Sequence, residues 1–205
     1  MIAPITFEGR LVRLEPLTRE HIGPLWTVAA DPAIWQLTGT RIGSPEEARS
    51  YVETALRWQE QGTGLPFVIV HRPTGEIAGS TRYGNIVPEH KRLEIGWTWL
   101  APKWHRTGMN RESKLLLLTY AFEVLGYNRV EIKTDVLNEK SRKALEGIGA
   151  RQEGILRRHM ITPAGRVRDT VYYSVIAEEW PEVRKRLEAG MREEGGEGWN
   201  SGIVE

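Results

Sequence analysis

The chain reads Trp97-Thr98-Trp99-Leu100-Ala101-Pro102-Lys103-Trp104-His105-Arg106-Thr107-Gly108-Met109-Asn110 where a predicted strand turns into a predicted helix. A strand-like run over residues 93–100 leads into this stretch. A helix over residues 111–125, apolar around most of its circumference, follows it. A tight turn that enters a helix leaves backbone N–H groups free at the positive helix end. Such an end can hold phosphate, so residues 105–110 form a candidate anion site.

Two residues of this turn suit a ligand site. Gly108 permits a positive φ and a close approach of the ligand, while Asn110 tolerates a left-handed conformation and can cap the helix. The phosphate motifs Gly-x-x-x-x-Gly-Lys-Ser/Thr and Gly-x-Gly-x-x-Gly are both absent. A strand, a glycine turn and a helix more often form a plain connection, so support for a ligand site has to come from the surrounding sequence.

The sequence downstream of the turn predicts a further strand, helix and hairpin. Residues 130–136 alternate between apolar and polar side chains and therefore predict a strand. Asn138 then caps a short helix that ends near residue 147 or 149, and two strands are expected around the turn Pro163-Ala164-Gly165. Residues 180–191 are typical of a terminal helix.

Two more helices are expected in the first third of the chain. Thr18 can cap a helix that runs towards Ala30. A second helix should begin with a capping box, in which Ser44 is the N-cap, Pro45 takes the first helical position and Glu47 the third. Helical spacing of apolar residues predicts that it ends at about residue 61.

The remaining elements are strands, which makes this a mixed α/β chain. The first strand should lie near an edge because a proline ends it. The later ones would form an antiparallel meander, and glycines in one of them indicate bulges or close backbone approach. The predicted strands cover residues 10–16, 66–71, 77–86 and 93–100.

Composition excludes several classes of function. With 205 residues the chain fits a single domain, expected over residues 1–192, and residues 193–205 are glycine- and glutamate-rich, which predicts a mobile tail. A formal net charge of +1 gives no reason to expect nucleic acid or a membrane as partner. There is no cysteine, so neither a thiolate metal site nor a cysteine nucleophile can exist. Without a signal segment or an apolar span, a cytoplasmic location is expected.

Several segments resemble the GNAT superfamily, in particular its ribosomal-protein (RimJ/RimL-like) N-acetyltransferase branch, over roughly residues 7–180. In the superfamily the turn reads Gln/Arg-x-x-Gly-x-Gly/Ala; here His105 stands first, Gly108 is kept and Asn110 stands last. The other segments that carry the resemblance are Phe7-Glu8-Gly9-Arg10-Leu11-Val12-Arg13-Leu14, Leu93-Glu94-Ile95-Gly96-Trp97, Asn138-Glu139-Lys140-Ser141-Arg142-Lys143-Ala144-Leu145, Gly149-Ala150, Glu153-Gly154-Ile155-Leu156-Arg157 and Asp169-Thr170-Val171-Tyr172-Tyr173-Ser174.

The resemblance implies a fold and a cofactor site. The fold would be a central, mostly antiparallel, twisted sheet of about seven strands flanked by helices. Two of its strands, residues 93–100 and 130–136, would splay around the pantetheine arm of acetyl-CoA, and strand amides near Trp99 and Leu100 would polarise the thioester carbonyl. No metal is expected. The residues assigned to the cofactor are Trp99, Leu100, His105, Arg106, Thr107, Gly108, Met109, Asn110, Asn138, Ser141 and Arg142.

Direct transfer of an acetyl group to an amine needs a base for the amine and an acid for the thiolate. Glu94, expected on the strand face of Gly96 and Thr98, could draw the amine proton through water, although an ordinary surface charge or ion-pair partner explains it equally well. His159 is the second candidate base. Ser141 could protonate the thiolate through water; alternatively Asn138 only caps its helix and Ser141 is solvated.

The resemblance leaves the acceptor amine open. Trp35, in the loop between the first two helices, and His159 are the candidate pocket residues. A protein N-terminal α-amine or a small-molecule amine is favoured over lysine, because an α-amine has a pKa of about 7.7–8.0 and a lysine of about 10.4. Arginines around the predicted hairpin either are solvated or attract an acidic group. A homodimer is compatible with the resemblance. An acyl-CoA sensor without catalysis and a plain interaction protein are the alternatives.

Overall fold

The computed structural model describes residues 2–195 and 202–204. The helices are α1 (Ile22–Ala29), α2 (Pro45–Glu60), α3 (Met109–Thr119), α4 (Glu139–Gly147) and α5 (Trp180–Gly195). The strands are β1 (Thr6–Glu8), β2 (Val12–Pro16), β3 (Leu65–His71), β4 (Glu76–Val87), β5 (Arg92–Leu100), β6 (Arg129–Asp135), β7 (Arg151–Ile161), β8 (Val167–Ile176) and β9 (Gly202–Val204).

These strands form one sheet in the order β7-β8-β6-β5-β4-β3-β2-β1-β9. Neighbouring strands are antiparallel except for β5 and β6, so the predicted mixed, mostly antiparallel architecture is confirmed. The described part has nine strands rather than about seven, because Thr6–Glu8 adds a short strand beside β2 and Gly202–Val204 adds another beside β1. The prediction of a mobile tail falls largely outside the described residues, and the single domain over residues 1–192 stays a prediction.

Helices cover both faces of the sheet and create two hydrophobic clusters. Strand β3 shows this directly: Phe67 and Ile69 pack with α3, α4 and α5, whereas Val68 and Val70 pack with α1 and α2. Side chains alternate between the two faces of a strand, so a strand buried on both faces reads as a continuous apolar run. The sheet is therefore a middle layer, and different helices pack against its two faces.

Helix α2 begins as the sequence predicts, with one difference. Ser44 Oγ accepts from the Glu47 backbone N–H at 3.1 Å, and Pro45 takes the first helical position. The Glu47 carboxylate accepts the N–H of Gly43 rather than that of Ser44, at 2.5 Å. The bond from the glutamate back to the chain is thus shifted by one residue, and the Ser44 side chain alone caps the first turn of the helix.

Replacing this serine should destabilise the protein measurably. Ser44→Ala leaves the Glu47 N–H without its side-chain acceptor, and we expect the free energy of unfolding to fall by about 1 kcal/mol in a urea titration. Ser50→Ala is the matched control, because Ser50 is exposed inside the same helix, where alanine is the better helix former. Equal stabilities of the two variants would contradict the capping role.

Candidate functional site

Strands β5 and β6 diverge, and this divergence creates the site. They pair in parallel over Arg92–Glu94 and Arg129–Glu131 only. Beyond that point β5 continues beside β4, while β6 continues beside β8. The facing edges of residues 95–100 and 132–135 therefore make no ladder with each other. Backbone N–H and C=O groups along an opened edge can bind an extended ligand by adding hydrogen bonds.

A bulge at Trp97 lies within the diverging part of β5. Trp97 has φ 51°, and the register with β4 shifts at this point. The bulge inserts one residue into the alternation, so Trp99 packs with α1 and α2 although Leu93 and Ile95 pack with α3. Thr98 hydrogen-bonds Thr81 at 2.8 Å. The prediction that Glu94 and Thr98 share a face is therefore wrong, because it assumed unbroken alternation.

The end of β5 presents one amide to the opening. Ala101 N–H donates to Ala78 O at 2.9 Å, so this peptide faces β4. In an antiparallel ladder successive residues alternate in direction, which turns the Leu100 amide away from β4 and towards the gap. His105 Nε2 lies 3.0 Å from Leu100 O, so the carbonyl of Leu100 is held from the side of the turn. Two backbone amides were predicted to donate to the thioester carbonyl. The amide of Leu100 thus faces the diverging region, and the amide of Trp99 faces β4.

The candidate phosphate turn follows directly. Arg106 has φ 61° and Gly108, the N-cap of α3, has φ 83°. The first helical bond runs from Glu112 N–H to Gly108 O at 2.9 Å, so Met109 and Asn110 N–H have no acceptor inside the helix. Asn110 lies inside the first turn and does not cap the helix, because glycine adopts the left-handed conformation at lower cost.

Thr107 and Lys114 support this turn. Thr107 Oγ1 donates to Trp104 O at 2.8 Å and holds the loop together. Lys114 Nζ donates to Asn110 Oδ1 at 2.6 Å, which places an ammonium beside the helix start. Burial lowers the pKa of Lys114 to about 8, so it keeps its charge at neutral pH. Sequence reasoning missed this lysine, although its spacing of four residues from Asn110 on a helix was available as a signal.

Helix α4 begins at the end of the second diverging strand. Asn138 Oδ1 accepts from the Ser141 backbone N–H at 3.1 Å, which confirms the predicted cap. Arg142 Nη1 donates to Val136 O at 3.3 Å, and a hydrogen bond with Tyr173 raises the pKa of the guanidinium. The Ser141 side chain is half-buried at the first turn of α4. These residues stand at the mouth of the opening, on the β6 side.

The two candidate bases belong to one polar cluster. Glu94 is 2% exposed, and its Oε2 accepts from Asn85 Nδ2 at 2.7 Å and pairs with Lys133 Nζ at 2.9 Å. Lys133 Nζ in turn lies 5.7 Å from the ring centroid of Tyr172. The exposed His159 contacts the same ring edge-on, with 5.8 Å between centroids. Of the two ordinary explanations for Glu94, a surface charge or an ion-pair partner, the structure shows the second, since Lys133 compensates the burial of its carboxylate.

A buried arginine on the same face escaped the sequence analysis. Arg82, on β4, is 2% exposed and lies over the rings of Tyr51, Trp58 and Trp97 at 4.7–5.2 Å from guanidinium carbon to centroid. Its Nε and one terminal nitrogen have no hydrogen-bond partner in the described chain. The rings stabilise the cation through their π faces. Nothing local in a β-strand sequence distinguishes such an arginine from an exposed one.

Trp35 lies where the resemblance predicts the acceptor pocket. Its Nε1 donates to Ala29 O at 2.9 Å, and its ring lies 5.1 Å from that of Trp99. Trp35 also lines a cavity of about 420 Å³ between the loop that joins α1 to α2 and the hairpin that joins β7 to β8. The cavity therefore touches the end of β5 through the Trp35–Trp99 contact. Its volume is within the range typical of small-molecule sites.

Across the described residues, no helix combines the length and apolarity needed to cross a membrane. The same residues contain no group of three or more histidine, aspartate or glutamate side chains arranged to hold a metal ion.

Similarity to known proteins agrees with this geometry. Residues 11–151 match the family described as Acetyltransferase (GNAT) domain. The chain is 34% identical to the Bacillus subtilis (strain 168) protein named "Putative ribosomal N-acetyltransferase YdaF" over 141 residues, which are 67% of this chain and 75% of that protein.

Solved structures show the same similarity. One, described as a "putative acetyltransferase" from T. thermophilus, has 38% identity and a TM-score of 0.83, with 93% of this chain and 99% of that chain covered. Mycobacterium smegmatis RimJ in complex with CoA-disulfide has the same fold at a TM-score of 0.78 and 24% identity, covering 92% of this chain and 96% of that one.

Proposed function

Since the chain belongs to the GNAT acetyltransferase family, in its ribosomal-protein acetyltransferase branch, and is an acetyl-CoA-dependent enzyme, we propose that it transfers the acetyl group directly to a primary amine. The amine is the N-terminal α-amine of a protein or the amine of a small molecule. The observation that carries the proposal is the divergence of β5 and β6 with the N-terminus of α3 directly after it. The absence of cysteine supports transfer without a cysteine-bound acyl intermediate.

The residues present fit the cofactor. Amides at the start of α3 and the positive φ of Gly108 suit a pyrophosphate, and the open strand edges suit an extended pantetheine arm. RimJ, which has the same fold, was solved with CoA-disulfide, and this supports the assignment. The residues assigned to cofactor binding are Leu100, Trp99, His105, Arg106, Thr107, Gly108, Met109, Asn110, Asn138, Ser141 and Arg142. Because the amide of Trp99 faces β4, its part in the site is to pack behind Leu100.

Each chemical step has a candidate group. Acetyl-CoA supplies the thioester. The Leu100 N–H donates to the oxygen that becomes negative when the amine nitrogen attacks the carbonyl carbon. The amine loses its proton through water to Glu94, with His159 as the second candidate base. As the C–S bond breaks, Ser141 relays a proton from water to the departing thiolate, and the proton that Glu94 took from the amine neutralises the hydroxide left behind, so the amide and CoA leave neutral and Glu94 is regenerated.

Binding of CoA and turnover test this proposal together. CoA at about 100 times its dissociation constant should stabilise the protein by about 2.7 kcal/mol and raise its Tm by roughly 5–10 °C. On the same sample, acetyl-CoA and a panel of α-amines should release free thiol. A Tm shift without thiol release would favour the acyl-CoA sensor. The sensor is the relevant alternative because the candidate base Glu94 is paired with Lys133. No Tm shift would overturn both.

The phosphate turn yields a separate prediction. Gly108→Ala places an L-residue at φ 83° and adds a methyl group where the ligand approaches, so we expect the CoA dissociation constant to rise about tenfold or more, by titration calorimetry. Gly126→Ala is the matched control, because Gly126 has φ 62° and open space around it. Both variants should lose about 1 kcal/mol of stability; equal CoA affinities would contradict the phosphate assignment.

A further inference from the structure

The cavity beside Trp35 has two walls that meet the diverging strands. One wall is the loop between α1 and α2, which includes Trp35 and Arg41, and the other is the hairpin at Pro163 and Ala164. Trp35 contacts Trp99 at the end of β5. Asp135, the last residue of β6, is bound by Arg166 of the hairpin. A molecule in this cavity would therefore lie near the ends of both strands that frame the proposed thioester site.

The lining of the cavity carries one positive group. Of the ten residues lining it, all within the described chain, Arg41 is the one with a charged side chain. Two carboxylates near the cavity keep their negative charge and accept from backbone amides: Asp31 accepts from Ala33 N–H at 2.8 Å and Glu47 from Gly43 N–H at 2.5 Å. Arg41 is exposed at the wall of a half-enclosed apolar cavity, so its guanidinium is available to donate to a molecule bound there.

A second guanidinium lies behind the cavity walls. Arg168, on β8, is 6% exposed, and its Nε has no hydrogen-bond partner in the described chain. Its Nη1 lies against Gly39, between the loop residues that line the cavity, at 3.1 Å from where a Cβ would stand. The buried Asp135 is shared between Arg166 and Arg168, the latter at 3.7 Å, so one negative charge faces two positive ones. The hairpin side thus also carries an excess positive charge.

We propose that this cavity binds the acceptor and that Arg41, with the excess positive charge around Arg168, selects a primary amine that also carries a carboxylate. The assignment rests on the proposed function and names its substrate class. A guanidinium matches a carboxylate with two parallel hydrogen bonds, which add geometric selectivity to the attraction between the charges. The carboxylate can come from a free amino acid or from an acidic residue at a peptide N-terminus; both share the chemistry that the cavity recognises.

Matched acceptors test the selection. Acetyl transfer is measured with glutamate against glutamine, both as free amino acids and as the first residue of a C-terminally amidated dipeptide. Alanine and alaninamide test the α-carboxylate alone. We expect kcat/KM to be about 10- to 100-fold higher for the member with the additional carboxylate, and the pair that shows the preference identifies the source. Equal values within all three pairs would overturn the proposal.

The variants separate this proposal from the proposed function. Arg41→Gln should abolish the preference by lowering kcat/KM for the carboxylate-bearing member of each pair towards that of its partner, whereas Arg57→Gln, exposed near the other end of α2, should keep the preference. A binding measurement needs no turnover. The same amines are titrated into the CoA complex, and their binding is measured by the quenching of tryptophan fluorescence, with Trp35→Phe as the reference. If no amine is acetylated but Arg41→Gln weakens carboxylate binding about tenfold, the proposed function fails and the cavity assignment stands. If Arg41→Gln leaves both the kinetic and the binding preference intact, the cavity assignment is wrong.

Discussion

Glu112→Ala should lower the free energy of unfolding by about 3–5 kcal/mol. Glu112 lies fully buried in the first turns of α3, and its carboxylate accepts three backbone N–H groups about 100 residues earlier in the chain. Oε1 binds Arg10 N–H at 2.8 Å, and Oε2 binds those of Leu11 and Val12 at 2.7 Å each. Charge-assisted hydrogen bonds of this kind are stronger than neutral ones, and alanine leaves one buried and two partly buried amides without this acceptor.

Glu112→Gln distinguishes the charge from the shape. Glutamine can still accept with one oxygen but turns an NH₂ group towards an N–H donor, so we expect a loss of about 2–3 kcal/mol, between the wild type and alanine. Glu139→Gln is the control, since that side chain is 78% exposed and should change the stability by less than about 0.5 kcal/mol. The measurement is urea unfolding. A loss below about 1 kcal/mol for Glu112→Ala would show that water replaces the carboxylate, contrary to the buried contact.

Gly79→Ala should damage both stability and activity. A Cβ on Gly79 would stand 2.0 Å from the carbonyl oxygen of Trp99 and 2.9 Å from its carbon, so β4 and β5 would have to separate. Overpacking against backbone costs about 3 kcal/mol. Because the separation would displace Leu100, the proposed oxyanion donor, we also expect kcat to fall about 100-fold, as a misplacement of about 1 Å can cause.

The control for this prediction is another strand glycine. Gly154, on β7, has open space at its Cβ position among the described residues, so Gly154→Ala should leave stability within about 0.5 kcal/mol and activity unchanged. Thermal melts and initial rates of thiol release measure both effects. A fully active Gly79→Ala enzyme would mean that the end of β5 does not carry the reacting carbonyl.

Local chemistry allowed much of this fold to be predicted. Ser44 and Asn138 cap their helices with their own side chains, within three residues of the amides that they bind. The glycines of β4 indicated close backbone approach, and Gly79 confirms it. The turn at residues 105–110 could also be recognised, because a left-handed glycine before an apolar helix is a local pattern.

The remainder depends on contacts that sequence spacing does not encode. Glu112 binds backbone amides about 100 residues earlier in the chain. An acidic residue in a helical sequence therefore did not indicate a buried carboxylate with these partners. The bulge at Trp97 reverses the alternation of β5, and simple periodicity placed Thr98 on the wrong face as a result. Glu94 and Lys133 come from different strands, and only their pairing explains why both are withdrawn from solvent.

Direct acetyl transfer within a ternary complex is tested by a two-substrate initial-rate measurement. Thiol release is followed while acetyl-CoA and an α-amine are both varied. Direct transfer within a ternary complex predicts double-reciprocal lines that intersect, because both substrates occupy the space between the divergent strands and the cavity before any bond breaks. Parallel lines would indicate a covalent acyl-enzyme and would contradict the account, as would the absence of any amine-dependent thiol release from a protein that binds CoA.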